Sequence, residues 1–159
     1  QWKAMMENHM NTDLSRAINL PPVNRVGFVV KNLKQALALY EPLFGPFQQI
    51  DATDIEWDYR GTPEKSSLKI AFGNSGDVEI ELIEWVCGET PHKEFLEAGR
   101  EGMHHLRFIV DNLEEKVKEA AAFGYREIWY KRFGEGLAAS YLEREGDPLI
   151  IEFFENKPA

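Results

Sequence analysis

The sequence predicts an α+β fold in which two βαβββ modules pack into one cleft-forming unit. Three observations lead there. The order strand, helix, strand, strand, strand reads out twice along the chain. The stretch VNRVGFVVKNL matches MHHLRFIVDNL at an offset of 80 residues (105 − 25), and VEIELIEW matches PLIIEFFE. An internal repeat outranks any single motif as a sign of architecture, because each copy needs its neighbour to bury an apolar face. The alignment pairs Arg25 with His105, Asn32 with Asn112 and Glu81 with Glu152.

The first module is expected over residues 23–89. Val23 to Val30 is β-branched and aromatic enough for a strand, and Asn32 caps a helix whose apolar stripe is Leu33, Ala36, Leu37 and Tyr40. That helix finishes about Pro42 to Gly45. Strands follow over Phe47 to Tyr59 (interrupted), Ser67 to Gly73 and Val78 to Trp85, with a turn at Asn74–Asp77. Thr90-Pro91 opens a short linking helix within residues 90–101, proline being tolerated at the first helical position. The second module covers residues 102–157. Its first strand runs from Gly102 to Val110, and alternation puts His105, Arg107 and Ile109 on one face and Leu106, Phe108 and Val110 on the other. Asp111-Asn112 caps a helix carrying Leu113, Val117, Ala120, Ala121 and Phe123, stopped by Gly124. Three strands near Arg126–Arg132, Ala138–Glu143 and Leu149–Phe154 complete the copy, with a turn at Gly146-Asp147-Pro148. Residues 1–22 are an N-terminal extension. Its first 12 residues have neither a long apolar core nor a small-residue cleavage site, and read as a cloning remnant or frayed end rather than a signal. Leu14 to Leu20 is expected to form a short helix ended by Pro21-Pro22.

At 159 residues and 18.3 kDa the chain is one domain, or two small halves sharing a core. A net charge of −9 argues against nucleic acid, which demands clustered Lys and Arg. A small-molecule substrate fits better. No apolar run approaches the roughly 20 residues that span a bilayer, so no membrane partner is expected. The single cysteine, Cys87, excludes an internal disulfide and suits the cytoplasm.

The fourth strand of each module carries a carboxylate in an apolar run: Glu81 between Ile80 and Leu82, and Glu152 between Ile151 and Phe153. A bare charge in such surroundings is costly unless it is paired or binds a metal. If the modules pack around one cleft, Arg25, Glu81, His105 and Glu152 converge. Two carboxylates and one imidazole form a hard donor set for Mn²⁺, Co²⁺, Mg²⁺, Fe²⁺, Ni²⁺ or Zn²⁺. The plainer alternative makes Glu79, Glu81, Glu84 and Glu155 outward-facing strand charges. His104 falls on the helix side as a structural residue, and His9 and His92 have no motif around them. Trp57, Tyr59, Trp85, Trp129 and Tyr130 either line an aromatic cleft or serve as core and interface residues. Lys131, Arg132 and Arg144 read as solvated surface.

The βαβββ repeat with GMHHLRFIVDNL, followed back through the linker ETPHKEFLEAGREG, resembles the vicinal oxygen chelate superfamily, in particular its methylmalonyl-CoA epimerase branch. The resemblance covers about residues 23–155. It implies four metal ligands, from the first and fourth strands of each module: His105 and Glu152 in the second, Glu81 in the first. Arg25 stands where the family has His or Gln, and a guanidinium has no lone pair to give. Two outcomes are therefore open. Glu81, His105 and Glu152 hold an ion with water completing its shell, or Arg25 supplies the positive charge in a metal-free cleft. The resemblance implies an enzyme that shifts a proton α to a carbonyl in a small acyl compound such as a CoA thioester. Glu152 is the first candidate for carrying the proton, and Glu56 and Glu64 are weaker ones. The alternatives are a glyoxalase-like lyase or isomerase of a thiol adduct, and a non-catalytic binding protein of the resistance type. An extradiol dioxygenase is disfavoured, since that chemistry wants two His and one carboxylate. Family habit implies a homodimer.

Overall fold

The computed structural model describes residues 1–3 and 17–158. His9, residues 14–16 of the expected helix at Leu14–Leu20, and most of the 12-residue terminus lie outside this range. Ile18 is described, and it is buried against the second module.

Among the described residues, eleven elements follow one another in the anticipated order. They are β1 (Arg25–Val30), α1 (Leu33–Phe44), β2 (Gln48–Tyr59), β3 (Thr62–Ser75), β4 (Val78–Cys87), α2 (Pro91–Glu97), β5 (Gly102–Val110), α3 (Leu113–Ala121), β6 (Arg126–Gly134), β7 (Leu137–Arg144) and β8 (Asp147–Asn156). The eight strands form one sheet that curls into a barrel in the order β1-β4-β3-β2-β6-β7-β8-β5. Each module supplies four consecutive strands of it. The modules join twice: along β1 and β5, and at a short seam where only Asp58–Tyr130 and Tyr59–Trp129 pair between β2 and β6. Among the described residues, no helix is long and apolar enough to cross a membrane.

The repeat is exact at the level of strand register. In the parallel ladder of the first module Gly27 faces Glu81, and in that of the second Arg107 faces Glu152. Across the β1–β5 junction Arg25 faces Arg107 and Gly27 faces His105. Exchanging each residue for its repeat mate maps these two pairs onto each other, so a local pseudo-twofold passes by the Val26–Leu106 pair.

Period-two alternation sorts every strand into an outer and an inner face. Outer residues Ile80 and Leu82 pack beneath Leu33 and Ala36 of α1, and outer residues Ile151 and Phe153 beneath Leu113 and Ala120 of α3. Inside the barrel, Leu68, Ile70, Ile83, Ile128, Trp129 and Tyr141 form a third cluster. The helices begin alike. Asn32 and Asn112 accept hydrogen bonds from the amides of Gln35 and Glu115, and the carboxylates of Glu84 and Glu155 accept from the first helical amides, Leu33 and Leu113, at 2.8 and 2.9 Å. Glu84 and Glu155 are thus bound to helix N-termini rather than simply directed outward, a favourable use of negative charge.

Two local departures from a simple pattern bear on the site. The interruption expected in β2 is a register shift between Ala52 and Ile55, with Asp54 at φ 52°. A second shift falls in β5: Gly27 pairs with His105 but Phe28 with Met103, so His104 is an extra residue bulged out of the ladder.

Candidate functional site

Alternation in β4 and β8 turns Glu81 and Glu152 away from the helices and into the barrel, and the pseudo-twofold brings them together. Both are about 5% exposed, and His105 between them is fully buried. Its Nε2 lies 3.2 Å from Glu81 Oε1 and 3.4 Å from Glu152 Oε1. One donor atom from each residue falls within 4.8 Å of the others. Arg25 reaches the cluster from β1, with Nη1 3.5 Å from Glu81 Oε2, while its Nε and other amino group engage Glu79. The Arg25 guanidinium also lies over the Phe72 ring.

His105 owes its position to a glycine. A Cβ on Gly27 would lie 2.0 Å from the imidazole Cε1, so only glycine lets the ring cross β1. The bulge then brings His104 to the same side, with its Nδ1 3.1 Å from His105 Nδ1. His104 does pack against a helix, but the helix is α2, where it meets Phe95 edge to face. Two residues with no motif to mark them complete the surroundings. Tyr141 Oη lies 3.4 Å from His105 Nε2 and 3.0 Å from Nε2 of the fully buried His92. Repeat logic contains a trace of Tyr141: it faces Glu152 in the β7–β8 ladder as Phe72 faces Glu81 in the β3–β4 ladder.

The charges order themselves by neighbourhood. Burial alone would lower the His105 pKa, but hydrogen bonds and charge from Glu152 and Glu81 outweigh it and push it up to about 9. Burial alone would raise Glu81, yet the Arg25 charge and the His105 hydrogen bond hold it below the usual carboxylate range. His92 falls to about 3, from burial first and the His105 charge second, and His104 is lowered for the same reasons. Burial, then the charge of Glu152, raises the Tyr141 phenol well above its ordinary value. The imidazolium form of His105 therefore bridges two carboxylates, flanked by neutral rings.

The remaining sequence candidates lie elsewhere. Glu56 is exposed on β2, opposite in alternation to Trp57, which packs toward the inner cluster; Glu64 sits across the β2–β3 hairpin from Trp57. Neither is among the groups gathered around His105. Trp57 and Trp129 stack on each other at 3.7 Å with planes 7° apart, across the β2–β6 seam. Tyr130 and Arg132 both engage Glu114, and Arg144 pairs with Asp147.

The donor set fits a hard divalent ion as three ligands rather than four. Glu152 Oε1 is buried and aimed into the cluster, where its contact is the ion pair with His105 Nε2 at 3.4 Å, and His105 offers Nε2 once deprotonated. The fourth position is occupied by a guanidinium, which cannot ligate.

Comparison with known proteins agrees with this architecture. The chain is 28% identical over 138 residues to the uncharacterized protein YqjC of Bacillus subtilis, covering 85% of this chain and 92% of that one. It is 29% identical over 102 residues to human mitochondrial methylmalonyl-CoA epimerase, covering 64% of this chain and 53% of that one. Among solved structures, a hypothetical protein of Bacillus halodurans aligns with TM-score 0.63 at 26% identity, over 87% of this chain and 96% of the other. Methylmalonyl-CoA epimerase of Mycobacterium tuberculosis aligns with TM-score 0.61 at 18% identity, over 94% and 97%, a likeness of fold. The family model described as glyoxalase/bleomycin resistance protein/dioxygenase superfamily matches residues 24–141, and the chain belongs to that superfamily.

Proposed function

We propose that the chain is an epimerase or isomerase that moves a proton on the carbon next to a carbonyl in a small acyl compound, a CoA thioester being the class its epimerase relatives suggest. The observation that carries this reading is the buried Glu81–His105–Glu152 group, in which His105 Nε2 lies 3.4 Å from Glu152 Oε1 and the Arg25 guanidinium 3.5 Å from Glu81. Acid–base work at carbon needs such a carboxylate, kept from water and within reach of a second proton carrier.

The steps follow from the chain's own groups. Glu152 takes the α-proton, the carbon–hydrogen electron pair moves into the carbon–carbon bond, and charge collects on the carbonyl oxygen. Arg25 faces that developing charge as a fixed cation in a site largely closed to water. His105, charged at neutral pH and 3.4 Å from Glu152, carries the second proton. Giving it to the opposite face of the α-carbon forms the epimer and leaves a neutral imidazole, which takes the proton from Glu152 and restores the starting state. A divalent ion held by Glu81, His105 and Glu152 would supply Lewis-acid polarisation of the same oxygen.

The test is hydrogen exchange. Incubating racemisable acyl-CoA thioesters with the protein in D₂O should place solvent deuterium on the α-carbon, read by mass spectrometry. A panel of such thioesters showing no label above the protein-free rate overturns the proposal.

A further inference from the structure

One part of the barrel wall is held unlike the rest. Neighbouring strands are laddered over five residues or more everywhere except at β2 and β6, which pair at two. The hairpin that reaches this seam also outruns its own sheet. The β3–β4 ladder begins at Ser67–Cys87, so Thr62–Ser66 have no ladder partner on β4. Residues 55–66 therefore form a two-stranded tongue, and a two-stranded hairpin by itself is at best marginally stable in water. Its base is marked on both strands. β2 shifts register between Ala52 and Ile55, with Asp54 in the left-handed region, and the β3–β4 ladder shifts between Ser67 and Leu68.

Side chains fasten the tongue where the ladder does not. Arg60, in the β2–β3 turn, donates to Glu94 of α2 at 2.8 and 2.9 Å and to Glu143 of β7 at 2.8 and 3.2 Å. Tyr59 Oη also donates to Glu94, and Lys131 Nζ to the Glu56 carbonyl. The paired bonds of Arg60 set a direction. Yet Arg60 and Glu94 each keep about a third of the side chain in solvent, where salt screens an ion pair and its net worth is small. On the inner side a run of rings leads away from the tongue. Trp57 stacks on Trp129, Trp129 lies 5.0 Å from Tyr141, and Tyr141 lies 4.6 Å from the His105 imidazole. The fully buried His92 meets the same Trp129 edge to face at 4.9 Å.

Glu81, His105 and Glu152 have almost no contact with solvent, so a ligand reaches them only when part of the wall moves. The part that moves most readily is the one with the fewest ladder bonds to break. We infer that residues 55–66 are a flap on the barrel, hinged at the two register shifts and latched by Arg60 onto Glu94 and Glu143, and that its opening admits ligand to the cluster. The flap does not depend on which reaction the cluster performs.

Opening can be read without a substrate. Amide hydrogen exchange, followed by mass spectrometry on the full chain, should be at least tenfold faster over residues 55–65 than over residues 68–73 of the β3–β4 ladder. Arg60→Met should speed exchange of the flap alone by a further fivefold or more, and Arg60→Lys by less. Asp58 and Tyr130 face each other across the seam, so Asp58→Cys with Tyr130→Cys, in a chain also carrying Cys87→Ser, can be joined by a disulfide. Diethyl pyrocarbonate then probes access, its adduct on the buried, uncharged His92 being counted by mass spectrometry. Oxidation should slow that labelling at least tenfold, and reduction of the same sample should restore it. The two forms share one sequence, which separates a locked flap from a damaged fold. Flap exchange no faster than the ladder, flap exchange unchanged by Arg60→Met, or His92 labelling indifferent to the disulfide would each overturn the inference. Since neither readout involves turnover, the α-deuterium experiment can fail while this one succeeds, and the reverse.

Discussion

Gly27 decides whether the cluster exists, because the His105 ring fills the space a side chain would need. Gly27→Ala should therefore leave a folded protein whose imidazole is displaced from both carboxylates. The expected result is a loss of α-deuterium exchange of at least tenfold with a near-native circular dichroism spectrum; unchanged exchange would detach His105 from the chemistry. The same imidazole predicts a pH dependence. Its folded pKa of about 9 lies above the ordinary 6.5, so its ion pairs stabilise the fold fully below about 6.5, and that contribution fades as pH rises through about 9. Chelator-treated protein should show a urea midpoint that falls across this window. His105→Gln should be less stable at pH 6 and lose the slope. A wild-type midpoint that holds steady from pH 6.5 to 9 would mean that His105 is not charged in the folded state.

At the scale of the element, the two helices are interchangeable answers to one problem. Each must start over a strand end, satisfy its first amides and bury three or four apolar residues. Each does so with an Asn cap, a strand carboxylate on its first amide and a stripe at i, i+3 or i+4 and i+7. Asn112→Ala should cost about 1 kcal/mol, measured as a drop in chemical-denaturation stability, and the effect should match that of Asn32→Ala. A cost near zero at both sites would mean that Glu84 and Glu155 alone hold the helix starts. These caps were legible, since an Asn before an apolar stripe is a local signal. The helix was read as running to Phe123; it ends at Ala121, and both residues are exposed. The β5 bulge was not legible. It depends on which partner residue is skipped, which is a property of the β1–β5 pair and not of either strand. Strict alternation therefore separated His104 from His105, while the folded chain brings their rings into contact.

At the scale of the molecule, the duplicated pattern carried most of the fold, because two matches, the helix caps at an offset of 80 and the strand carboxylates at an offset of 71, together fix strand order and register. The gathering of Glu81, His105 and Glu152 follows from that symmetry and could be read in advance. His92 and Tyr141 could not be placed by any motif. His92 sits on a linker with no repeat mate, and Tyr141 is marked only by matching Phe72 when the third strands are aligned. The symmetry also says where the two halves differ: Arg25 occupies the place that His105 occupies in the other half, so the chain holds three donors where a symmetric site would hold four. Replacing Arg25 by His removes a buried cation that repels a metal ion and adds an imidazole facing the same point. Arg25→His should therefore raise affinity for Mn²⁺ or Co²⁺ by at least an order of magnitude, measured by calorimetry on chelator-treated protein. The gain should vanish when Glu81→Gln is combined with it, since Glu81 is the carboxylate that Arg25 now neutralises. If Arg25→His leaves metal affinity at the wild-type level while the fold is intact, the pseudo-twofold does not aim this position at the cluster. The cation on β1 would then belong to Glu79 rather than to the chemistry.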